Sequence, residues 1–186
     1  MRSFLALDVK SPEVLFKISE IQSKFLATNA DLKPVSKENL HFTLKFFGEI
    51  DSNMVERIIE KLKTLNFRKF FVTYRGLGAF PNLKRINVIW IGVNEGAEKK
   101  LKEISDRINE NLLEFGFSED KPFTPHLTIL RVKSGKNIYK LAELIQNYQA
   151  YEFGSEVMVS LTFKKSELTP RGPIYTNLAE FPFQGG

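Results

Sequence analysis

The strongest constraint on this fold is a short string that occurs twice. His41-Phe42-Thr43-Leu44 and His126-Leu127-Thr128-Ile129 each read His, apolar, Thr, apolar, and they begin 85 residues apart. His41 and His126 are also the only histidines in the 186 residues. In a strand, alternate side chains share a face. Each copy therefore offers a His-Thr face for chemistry and an apolar face for a core.

The elements around the strings repeat too. Phe4 to Val9 reads as a strand, and Ser11-Pro12-Glu13 as a helix start, with apolar residues at helical spacing from Val14 to Leu26 predicting a helix over 12–27. Lys33-Pro34-Val35 is an extended connector. The strand His41 to Phe47 ends at Gly48; Asp51 or Ser52 caps a second helix; Phe70 to Tyr74 begins a third strand that runs toward Pro81. The order then starts again: strand Asn87–Val93, helix Glu98–Phe115, an approach marked by Pro122 and Pro125, strand His126–Val132, a helix from an Asn137 cap to about Tyr148, and strand Val157–Phe163. A turn over Thr169–Pro173 leads into a last strand, Ile174–Phe181. Equivalent elements are offset by about 84 to 87 residues, while residue identity between the halves is low. This pattern predicts an α+β fold: one bilobed domain over 1–186, with repeat one at about 1–80 and repeat two at about 86–181. The two pseudo-symmetric β-α-β-α-β lobes would carry largely antiparallel sheets lining a central cleft, with Ala79–Arg85 the expected junction between them, as a loop or as a hinge.

Composition narrows the function classes. Hydrophobic content of 42% with 17 Phe supplies a real core. No apolar run approaches the roughly 18 residues needed to span a bilayer, so no membrane role is expected. Absence of Cys excludes disulfides, a thiolate nucleophile and a zinc–thiolate site, and a cytoplasmic location is the simplest reading. The net charge of +5, with pI near 9.3, favours polyanionic partners such as nucleic acid, and equally describes a Lys-rich surface.

Two histidines facing one another suit proton transfer near neutral pH, because an unperturbed imidazole titrates at about 6.5. Phosphoryl-ester cleavage needs one group to deprotonate the attacking oxygen and another to protonate the leaving oxygen. Thr43 and Thr128 can donate to non-bridging phosphate oxygens. Arg131 can add a charge-assisted contact, but it has the opposite strand parity to His126 and would need a bulge or strand end to turn inward. Lys45 shares the parity of His41 and Thr43. Two His alone make a poor zinc site, and no H-E-x-x-H, G-x-S-x-G or P-loop string is present. Phe47 and Phe80 are candidate base-stacking surfaces, against ordinary core packing; Lys84, Arg85, Lys133 and Lys136 are candidates to track a nucleic-acid backbone, against a solvated basic face.

At these residues the sequence resembles the two-histidine phosphoesterase superfamily, defined by paired H-x-T-x motifs, and within it the bacterial and archaeal RNA 2′,3′-cyclic phosphodiesterases, long called 2′-5′ RNA ligases. The likeness covers Phe4-Leu5-Ala6-Leu7, Glu38 to Gly48, Gly78 to Pro81, Val88 to Gly92, Phe123 to Arg131 and Gly172-Pro173-Ile174-Tyr175. It implies hydrolysis of an RNA terminal 2′,3′-cyclic phosphate, tRNA-like fragments included, to a 2′-phosphate. Neither a metal, a nucleotide cofactor nor a protein partner is implied. The same likeness makes His41 the proton donor to the leaving 3′ oxygen and His126 the base, with Thr43, Thr128 and Arg131 holding the phosphate; the repeat alone leaves the two histidines equivalent. Reversible 2′-5′ ligation is implied as well. Two other readings stay open: a related phosphodiesterase acting on a small cyclic nucleotide or ADP-ribose cyclic phosphate, and a non-catalytic RNA-end-binding protein.

Overall fold

The computed structural model describes residues 1–119 and 123–185. Pro122 therefore lies outside the described residues. Two antiparallel sheets carry the fold. The first contains β1 (Arg2–Asp8), β3 (His41–Glu49), β8 (Ser160–Thr169) and β9 (Gly172–Pro182), in the order β3-β1-β8-β9. The second contains β2 (Leu32–Pro34), β4 (Phe70–Asn82), β5 (Arg85–Val93), β6 (Leu127–Val132) and β7 (Glu152–Met158), in the order β2-β6-β5-β4-β7. Every strand pairing in both is antiparallel. The α+β class with two antiparallel sheets is as the sequence pattern predicts.

Repeat and sheet are nevertheless different units. Each sheet takes the first two strands of one repeat and the third strand of the other: β8 joins β1 and β3, while β4 joins β5 and β6. The reason lies at Ala79–Arg85. That segment is the end of a hairpin inside the second sheet, not a junction between lobes. Asn82 Oδ1 accepts the amides of Lys84 (2.9 Å) and Arg85 (3.0 Å), which closes the turn. Strands joined so tightly must pair with each other. The run Val157–Phe163 likewise divides at Val159, where the chain leaves β7 in the second sheet and enters β8 in the first. Its side-chain alternation passes unbroken through the crossing, so a periodicity reading sees one strand.

The helices follow their predicted signals closely. In α1 (Pro12–Leu26) Ser11 Oγ accepts the Val14 amide, and Val14, Ile18, Ile21 and Phe25 are buried. In α2 (Ser52–Lys63) Asp51 Oδ1 accepts the Met54 amide at 2.8 Å. The helix α3 (Glu95–Leu112) begins three residues earlier than expected, behind Asn94. Asn137 precedes α4 (Ile138–Asn147) but does not cap it; its Nδ2 donates to Thr28 O at 3.0 Å instead. Lys33-Pro34, read as a connector, is the edge strand β2, with Lys33 opposite Arg131.

The apolar halves of both motif strings anchor a shared core. Phe42, Leu44, Leu127 and Ile129 are buried, and Phe42 of the first sheet stacks on Tyr74 of the second (6.1 Å, 10°). The polar halves are left to face away from that core. None of the described helices is long and apolar enough to cross a membrane.

Candidate active site

A cleft of about 1130 Å³ is lined by His41 and Thr43 from β3, His126 just before β6, and Thr128 and Arg131 within it. The strings that lie 85 residues apart in sequence thus share one cavity, each as half of it.

Both strings carry a β-bulge at the same place. The β1–β3 register passes from Leu5↔Lys45 to Ala6↔Thr43, leaving Leu44 as the extra residue; the β5–β6 register passes from Ile89↔Leu130 to Trp90↔Thr128, leaving Ile129. An extra residue reverses side-chain parity beyond it. Arg131 thereby comes onto the same face as Thr128 and lines the cleft, the condition its sequence parity required. Its counterpart in the first string is Phe46, which is 45% exposed and also lines the cleft. No Gly or Pro marks either bulge, so sequence carried no signal for it. The Ile129 carbonyl at the bulge accepts from the Val35 amide (3.0 Å) and from Gln22 Nε2 (2.9 Å) on α1.

The same parity change decides where Lys45 and Phe47 sit. Lys45 borders the cleft, but it is only 2% exposed and its Nζ donates to Asn109 Oδ1 (2.8 Å) and Ser118 O (2.6 Å). Phe47 is core: it packs against Phe117 and Phe163, so its bland reading holds and Phe46 occupies the cleft wall instead. Phe80 sets its ring against His126 (4.9 Å) and Trp90 (5.6 Å). Of the four basic candidates only Lys133 lines the cleft, joined there by Lys33 and Arg171, which sequence reasoning passed over.

The two histidines are held differently. His41 Nδ1–H donates to Asn39 O at 2.6 Å, which leaves Nε2 toward Thr43 Oγ1 at 3.0 Å. Its ring stacks on Phe4 (5.1 Å) and meets the edge of Tyr175 (5.3 Å). Burial lowers the His41 pKa below the ordinary imidazole value, while the Asn39 carbonyl and Asp8 pull it up. His126 has no such partners: its Nδ1 is buried without a hydrogen bond among the described residues, and its ring lies flat on Trp90 at 3.6 Å and 3°. Burial lowers its pKa too. Sequence reasoning did not single out Trp90 and Tyr175, because their contacts with the histidines depend on which strands become neighbours. Among the described residues, no three His, Cys, Asp or Glu side chains cluster as metal ligands.

An α+β molecule whose two H-x-T strands open onto one cleft has the architecture of a two-histidine phosphoesterase. Comparison with known proteins agrees. Residues 9–90 and 91–175 each match the family described as LigT like phosphoesterase, one match for each repeat. The chain is 38% identical over 183 residues to the RNA 2′,3′-cyclic phosphodiesterase of Methanothermobacter thermautotrophicus, covering 97% of this chain and 98% of the relative. It is 39% identical to the protein of the same name from Archaeoglobus fulgidus (97% and 99% covered). A crystal structure from Thermus thermophilus superposes with a TM-score of 0.81 at 27% identity (100% and 99% covered). Escherichia coli LigT complexed with 3′-AMP superposes at 0.78 and 22% (98% and 97%), a likeness of fold. The chain belongs to the LigT-like phosphoesterase family.

Proposed function

We propose that this enzyme hydrolyses the 2′,3′-cyclic phosphate at an RNA end to a 2′-phosphate, without a metal, by proton transfer between its two histidines. The observation that carries the reading is one His-Thr face from each motif strand opening onto the same cleft. The names borne by the 38–39% identical relatives support the substrate class. In the proposed step, His126 takes a proton from water, the water oxygen bonds to phosphorus, the bond from phosphorus to O3′ breaks, and His41 protonates O3′. Thr43, Thr128 and Arg131 hold the non-bridging oxygens as charge builds on them. The surroundings favour this division of labour. Asn39 O and Asp8 offset part of the burial cost of a charged His41, the state an acid needs, whereas among the described residues no such hydrogen bond holds His126 Nδ1. If an RNA 5′-hydroxyl replaces water as the attacking group, the same step makes a 2′-5′ linkage.

Lys33, Lys133 and Arg171 extend positive charge along the cleft wall, which suits a chain of phosphates better than a lone cyclic nucleotide. The test is incubation with an oligoribonucleotide ending in 2′,3′-cyclic phosphate, followed by mapping of the product. A 2′-phosphate, formed equally well in EDTA, is expected. A 3′-phosphate, or no cleavage by folded enzyme, rejects the proposal.

The bulge makes its own prediction. Arg131→Ala should lower kcat/KM about 100-fold and Arg131→Lys about tenfold, since lysine keeps the charge but not the guanidinium fork. Gln22→Leu, far from the phosphate, should reproduce part of the Arg131 loss by loosening the Ile129 bulge. Steady-state kinetics on the same oligonucleotide check all three; an unaffected Gln22→Leu enzyme would show that the bulge holds without it.

A further inference from the structure

A catalytic histidine is ordinarily oriented by a hydrogen bond to its second ring nitrogen, as Asn39 O does for His41. His126 has no such bond among the described residues. What it has is an indole in parallel contact, with ring centroids 3.6 Å apart and planes 3° from parallel, and Phe80 inclined at 44° behind. The contact is built into the sheet. Trp90 lies opposite Thr128 on one side and Gly78 on the other. A Cβ on Gly78 would overlap the six-membered ring of the indole, so only glycine leaves that ring its place.

We propose that Trp90 is the positioning residue of His126: its face fixes the imidazole plane and stabilises the imidazolium that forms when His126 accepts a proton. An indole face carries negative potential and attracts a cation lying over it. This support appears only as charge develops on His126, so it acts on the transition state rather than on substrate binding. Among the described residues, the charged side chains lining the cleft that His126 shares are Lys33 on β2, Arg131 on β6, Lys133 just beyond it, Arg171 in the β8–β9 turn, Lys45 on β3 and Glu38 before it. The β4 and β5 residues that touch the ring, Phe80 and Trp90, are uncharged. Five of those six lining groups are cationic and Glu38 is acidic; the lowered His126 pKa comes from burial rather than from any of them.

Trp90 is the sole tryptophan and the chain has two histidines, which makes a clean experiment available. Growth on mono-, di- and trifluorotryptophan alters only position 90, keeps the ring's shape and drains its face potential in steps. The histidine ring resonances, assigned with His41→Ala, are then followed by NMR against pH. The His126 titration should fall with each fluorine, by about 0.5 to 1 pH unit over the series, while His41 stays in place. The kinetic part rests on His126 being the base. There the acid limb of kcat/KM should move to lower pH with the NMR value, and kcat should fall while KM holds. Failure of the kinetic part alone would fault the assignment of the base. A His126 titration that ignores fluorination, or two histidines that move together, overturns the proposal whatever the substrate proves to be.

Discussion

Alanine at either His41 or His126 is expected to lower kcat by about 10³-fold with little change in KM, and the double variant should be scarcely worse than either alone. In the proposed step each histidine performs one half of a single proton relay, so removing the second after the first has little left to remove. The pH dependence separates the halves. A base works when neutral, so activity rises with pH through the His126 pKa. An acid works when charged, so activity falls through the His41 pKa. Burial lowers both, which puts the kcat/KM optimum of the free enzyme below the ordinary imidazole value of about 6.5. His126→Ala should lose the rising limb and His41→Ala the falling one. Swapped limbs in those profiles would exchange the assigned roles, and a bell that survives in both variants would remove the histidines from the chemistry.

A second large effect is expected beneath His41. Asp8 is its register partner on β1, and Lys164 Nζ lies 3.1 Å from Asp8 Oδ2 while donating to Asn177 Oδ1 at 3.1 Å. The pair is nearly closed to water, with side chains 7% (Lys164) and 20% (Asp8) exposed. Lys164→Met would strand the carboxylate and cost about 3 kcal/mol, or roughly 6–12 °C in Tm for a chain of this size. Adding Asp8→Asn should restore much of that loss, because the pair's removal costs less than its breakage. The same variants should tune the acid in opposite directions. Lys164 lowers the His41 pKa and Asp8 raises it, so Lys164→Met should move the falling limb to higher pH and Asp8→Asn to lower pH. Thermal melts and pH profiles test both, and limbs displaced in the same direction would contradict the account.

The residues differ in how far sequence alone could place them. His41, His126, Thr43 and Thr128 were legible because period-two alternation puts each pair on one face, and because both strings sit at the same point of a repeated order. Helix starts at Ser11 and Asp51 were legible because capping is a local interaction. Lys45, Phe46, Phe47 and Arg131 were not reliably legible. Their orientation turns on the bulges at Leu44 and Ile129, which are held by strand pairing and, at Ile129, by Val35 and Gln22. The division of Val157–Phe163 escaped notice because the alternation stays in phase while the pairing partner changes.

By itself, then, the sequence determined the α+β class, the repeat, the two H-x-T strings that come to share one cleft and the location of most helices. These depend on periodicity and on contacts a few residues apart. Only the tertiary structure decided which repeat lends its third strand to which sheet, how the bulges turn Arg131 toward the cleft and Lys45 toward Asn109, and what stands behind each histidine. Those outcomes depend on pairings between distant strands. So it is that two strings of the same pattern became different groups: His41, held by a carbonyl and a carboxylate's field, and His126, laid on an indole.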